Sequence, residues 1–68
     1  MNEELLGQVY FFVKEYTEEN KVPPSRREIA KELEIGVATA QRYVEALAEE
    51  GLLSVRPNTA RGVIVEPE

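Results

Sequence analysis

Two adjacent prolines, Pro23 and Pro24, stand directly before Ser25-Arg26-Arg27-Glu28, so a helix stop and a helix start lie side by side. Proline lacks an amide donor and pushes the residue before it toward extended geometry, so no helix runs through this point. The Ser-x-x-Glu spacing is a capping box, in which the serine hydroxyl accepts from the glutamate amide and the glutamate reaches back to the serine amide. Any fold of this chain must therefore join two separate helices through a short, stiff linker.

Upstream of the break, Leu5, Val9, Phe12, Val13 and Tyr16 recur on one stripe at helical spacing. Asn2 stands at a capping position, and Glu3 and Glu4 suit the positive end of the helix dipole, which predicts helix 1 over about residues 3–19. Helix 2 is expected over about 26–34, with Ile29, Ala30 and Leu33 inward. Ile35-Gly36-Val37 reads as the short glycine-containing turn of a helix-turn-helix. Helix 3 follows over about 38–50, with Val37, Ala40, Val44 and Leu47 as its buried stripe and Gly51 as its stop. That phase turns Ala38, Thr39, Gln41, Arg42, Glu45 and Glu49 outward. Leu52 to Arg56 and Val63 to Val65 read as strands around a Pro57–Gly62 turn, a wing over about 52–65. The expected fold class is mainly α with a small β-hairpin, a three-helix winged helix-turn-helix in a single domain over residues 1–68. Glu66-Pro67-Glu68 reads as the start of a linker or a free end.

A chain of 68 residues has room for one small core, since at this size only about 60% of the unfolded surface is buried. The side chains that most catalytic sites use are missing: the sequence has no cysteine, no histidine and no aspartate. Its 13 acids are all glutamate, and paired-carboxylate chemistry needs a cleft that so small a helical domain rarely encloses. The expectation is a protein that is not an enzyme and holds no cofactor, metal or small-molecule ligand. The longest apolar run, Val9 to Val13, falls far short of the roughly 20 residues that span a bilayer. No basic segment precedes an apolar leader, so a soluble, cytoplasmic protein without a membrane partner is expected.

A net charge of −5 opposes nucleic-acid binding if it is spread evenly, but it is not. Glu3, Glu4, Glu15, Glu18 and Glu19 face a single base, Lys14, whereas Lys21, Arg26, Arg27, Lys31, Arg42, Arg56 and Arg61 crowd the middle and the wing. The deficit belongs to the two ends, and one face is left free to be basic. Phe11 points away from the helix 1 stripe; an exposed phenylalanine is most often an isolated apolar surface residue, and its second reading is the contact for any self-association or partner.

The run VPPSRREIAKELEIG, a short helix ending LAEEGLL, and a hairpin containing ARGVIV resemble the N-terminal DNA-binding domain of LexA-type repressors. PPSRREIA and the Arg61-Gly62 hairpin carry most of the likeness, while the middle of helix 3 would also suit a MarR- or GntR-like winged helix. The resemblance covers nearly the whole chain. It implies repression by operator binding, with helix 3 in the major groove and the hairpin on the backbone or minor groove. It reaches only the first third of such repressors; their self-cleaving C-terminal domain, with its Ser/Lys dyad and dimer interface, finds no match in these residues, so self-cleavage is not implied. Ala38 also departs from the pattern, standing where a polar cap or phosphate-binding residue is usual, and the connection before it reads one residue shorter.

In a helix-turn-helix the N-terminal half of the recognition helix meets base edges. That half carries Thr39, Gln41 and Arg42: a hydroxyl and methyl, an amide that can pair with adenine, and a bidentate donor. Glu45 lies at the margin, where it accepts from cytosine N4, repels phosphate, or simply solvates the face. Ser25, Arg26 and Arg27 sit at the start of helix 2, where free amides and the dipole attract phosphate, and Arg56 and Arg61 flank the wing turn. The two wing arginines have a second reading as charges that guard an edge strand. The expected partner is double-stranded DNA, bound weakly by one copy and usefully by a homodimer or larger assembly on paired half-sites. The competing reading is a winged-helix protein-interaction module that uses the acidic surface and Phe11.

Overall fold

Local side chains set the helix boundaries, as seen in a computed structural model that describes residues 1–55 in full and the backbone alone of residues 63–65. Asn2 is extended and its side-chain oxygen accepts from the Leu5 amide at 3.1 Å, so α1 runs Glu3–Asn20 with Glu3 and Glu4 in its first turn. Lys21 closes it in left-handed geometry, φ 63, and donates its amide to the Thr17 carbonyl. The proline pair then bars any continuation, and Pro24 is fully buried. The capping box forms as its spacing predicts: Ser25 Oγ accepts from the Glu28 amide at 3.2 Å, and Glu28 Oε1 accepts from the Ser25 amide at 2.8 Å. This starts α2, Arg26–Leu33.

The next turn differs from the sequence expectation. Glu34, not Gly36, takes the left-handed conformation, φ 56, and the Glu34 and Ile35 amides return to the Lys31 and Ala30 carbonyls. A non-glycine residue there costs on the order of 1–3 kcal/mol, which the two returned hydrogen bonds offset. Gly36, at φ −72, is the extended N-cap of α3, Val37–Glu49. The connection is therefore Glu34-Ile35-Gly36, one residue earlier than expected, and Val37 becomes the first residue of its helix. By its phase Val37 is expected to be buried, but it is 46% exposed. At the first helical position its side chain lies over a cleft at the start of α2 instead of over the core.

At the other end of α3 the amides of Gly51 and Leu52 bond to the carbonyls of Ala48 and Leu47, both at 3.0 Å. This Schellman arrangement needs a left-handed residue, which Gly51 supplies at φ 80. It turns the chain into β1, Leu53–Val55, which pairs antiparallel with β2, Val63–Val65, in the register Leu53 to Val65 and Val55 to Val63. Three helices closed by a hairpin make the winged helix-turn-helix class. Residues 56–62, expected to end the first strand and form the wing turn, and 66–68, expected as a linker or free end, lie outside the described residues.

The buried cluster draws on every helix: Val9 and Val13 from α1, Ile29 and Ala30 from α2, Ala40, Tyr43, Val44 and Leu47 from α3, with Leu53 from β1. Leu5, Phe12 and Leu33 pack at its edge and are half-buried. Two hydrogen bonds brace the helices. The Tyr43 hydroxyl accepts from the Asn2 amide at 3.2 Å, and the Tyr16 hydroxyl donates to Glu28 Oε2 at 2.8 Å. No helix among the described residues is long and apolar enough to cross a membrane.

Gly7 is exposed within α1, and a Cβ added there would meet nothing within 4 Å. Gly7→Ala is expected to stabilise the protein by roughly 0.5–1 kcal/mol, because alanine gives up less backbone entropy in a helix. Calorimetry should show a melting point several degrees higher, at about 4–8 °C per kcal/mol. An unchanged or lower melting point would mean that the glycine has a role in the fold that its surroundings do not show.

Candidate nucleic-acid interface

The early turn places the N-terminus of α2 beside the start of α3. Ser25, Arg26, Arg27 and Val37 line one cleft of about 410 Å³. Arg27 is exposed and Arg26 half-buried, and the Arg26 Nε is shielded from solvent with no hydrogen-bond partner among the described residues. An unpaired buried donor costs roughly 1–3 kcal/mol, which an acceptor oxygen entering the cleft would relieve.

The two helix starts differ. At α2 the box consumes the Ser25 hydroxyl and amide on Glu28, so Ser25 acts in the fold as a cap. By helix geometry the Arg26 and Arg27 amides still lack intrahelical acceptors. At α3 Gly36 supplies no side-chain cap, and the first turn carries no acid. The positive end of the α3 dipole is thus open beside two arginines, an arrangement that suits an anion. The sequence reading missed Val37 in this cleft because its helical phase looks like a core position.

Along the outer face of α3, Arg42 and Glu45 are exposed, and Thr39 and Gln41 are half-buried. Gln41 Nε2 donates to Glu45 Oε2 at 2.9 Å, one helical turn away. The bond aims the Gln41 amide along the helix and leaves its carbonyl and second N–H unused by that contact. Of the readings open for Glu45, the structure adds this one: it holds Gln41. Glu49 and Glu50 are exposed at the far end. Arg56 and Arg61, expected at the wing, lie outside the described residues.

Comparison with known proteins points the same way. A model of the LexA DNA binding domain matches residues 7–62. The chain is 40% identical over 57 residues to the LexA repressor of Cellvibrio japonicus, covering 82% of this chain and 28% of that protein. It is 37% identical over 57 residues to the LexA repressor of Actinobacillus succinogenes, covering 82% of this chain and 27% of that one. A third relative, LexA repressor 1 of Pseudomonas syringae, is 38% identical over 61 residues, with 88% and 28% covered. The chain thus spans little more than a quarter of the length of these relatives.

Proposed function

Because the chain belongs to the LexA DNA-binding domain family, we propose that it binds double-stranded DNA in a sequence-specific manner and represses transcription by occupying an operator. The observation that carries this reading is the shared cleft of Ser25, Arg26, Arg27 and Val37. It sets cations and an open helix N-terminus immediately before the outward row Thr39, Gln41, Arg42 and Glu45. In this reading α3 lies in the major groove, with Thr39, Gln41 and Arg42 toward base edges and Glu45 holding the Gln41 amide in place. Arg26 and Arg27, with the α2 start that Ser25 caps, take a phosphate; Arg56 and Arg61 take the backbone or minor groove from the wing. The chain acts as a binding module rather than an enzyme, and it works in the cytoplasm.

So few cations give little nonspecific attraction, so one copy binds weakly, and a homodimer on two half-sites reaches useful affinity. Binding-site selection on the purified chain should return a two-fold related sequence. In titrations at about 50 mM salt, where phosphate contacts are strong, that duplex should bind far more tightly than a scrambled one. Absence of binding to any duplex under those conditions would overturn the DNA reading and leave the protein-interaction one.

A further inference from the structure

A second surface lies away from this cleft. Between α1 and α2 runs an open groove of about 720 Å³. Gly7, Phe11, Phe12 and Leu33 give its apolar part, and Glu4, Glu15 and Glu32 its rim. None of these residues belongs to the set proposed to touch DNA. Phe11 is 60% exposed, a large apolar side chain with no cover. Gly7 lines the groove, and a Cβ added there would meet nothing within 4 Å. Glycine weakens a helix, and nothing around Gly7 in the fold requires it.

We propose that this groove docks a basic, apolar-anchored segment of a partner protein. An apolar side chain of the segment sits on Phe11 and Leu33 in the space above Gly7, and flanking Lys or Arg side chains meet Glu4, Glu15 and Glu32. Charge complementarity selects this occupant over others. A second copy meeting the groove with its own groove would set the same three carboxylates against one another, and like charges across an interface cost affinity. Self-association through Phe11, the expectation from sequence, is therefore disfavoured by the rim around it. Nucleic acid and anionic lipid surfaces carry the wrong sign. The two surfaces share no residue, so docking does not compete for the side chains proposed to meet DNA.

The test uses the whole chain, isotope-labelled, and an amphipathic helical peptide with Leu at the i, i+3, i+4 and i+7 positions and Lys elsewhere. Amide shifts on titration should concentrate at Gly7, Phe11, Glu32 and Leu33, and the matching Leu/Glu peptide should move none of them. Phe11→Ser should weaken binding on the order of tenfold, the scale expected for removing one buried aromatic anchor. The double change Glu15→Lys with Glu32→Lys should do the same. Glu49→Lys with Glu50→Lys alters net charge equally, outside the groove, and should leave peptide affinity near that of the parent. Circular dichroism checks that each variant keeps its helices, and since all five positions are exposed, they are expected to. Shifts scattered over all the glutamates, or an affinity indifferent to Phe11→Ser, would overturn the proposal. So would a parent that sediments as a dimer and dissociates on Phe11→Ser, which would assign the groove to a second copy.

Discussion

Leu47→Ala is expected to lower the unfolding free energy by about 2–5 kcal/mol, the range for removing a buried leucine and leaving a cavity. Leu47 is 3% exposed and belongs to the cluster that joins α1, α2, α3 and β1. Its backbone carbonyl also accepts from the Leu52 amide where the chain leaves α3 for the wing. A void there loosens the seat of α3 as well as the core. A domain of this size has little reserve, since typical stabilities fall at about 0.05–0.15 kcal/mol per residue. At about 4–8 °C per kcal/mol, the melting temperature should fall by on the order of 10–30 °C. Thermal and urea unfolding, followed by circular dichroism, measure it. A Leu47→Ala protein that melts with the parent would show that α3 does not pack through this residue.

The second large effect separates reading from anchoring. Arg42 is exposed in the half of α3 proposed to meet base edges. Arg42→Ala should cost roughly 1–3 kcal/mol on the selected duplex and relax preference at one or two base pairs, with little change on a scrambled duplex. Arg56→Ala and Arg61→Ala, proposed to anchor the DNA backbone, should weaken selected and scrambled duplexes together. The slope of log affinity against log salt should become shallower by about 0.9 for each phosphate that is no longer neutralised. Titrations of all three variants at several salt concentrations make the comparison. If Arg42→Ala binds the selected site as the parent does, α3 is not the reader. If the weakening is equal on both duplexes, Arg42 anchors to the backbone instead.

The order and type of the elements are legible in the sequence because local chemistry sets them. Asn2 caps α1, Pro23 and Pro24 end the path toward a longer helix, Ser25 and Glu28 start α2, and Gly51 turns the chain toward β1. Each of these acts through backbone groups a few residues away, so spacing along the chain is enough to read them. The apolar stripes work similarly for Val9, Val13, Ile29, Val44 and Leu47, which lie on the inward faces of their helices and are buried.

What only the tertiary structure decided depends on where one helix ends relative to another. Val37 has the phase of a core residue, yet burial requires a neighbour above it, and at the first position of α3 it meets the cleft beside Arg26 and Arg27 instead. Glu34 takes the left-handed turn although Gly36 is better suited to it, because the return of its own and the Ile35 amide to the end of α2 fixes that residue. Tyr43 falls outside the apolar stripe read from the sequence, yet it is buried, and its hydroxyl meets the Asn2 amide 41 residues away. The shielded Arg26 Nε, without a partner among the described residues, and the acid-rimmed groove over Gly7 and Phe11 likewise arise only when the helices are set against each other. Periodicity reports which way a side chain faces along its own helix. Whether anything lies opposite it is a property of the packed helices.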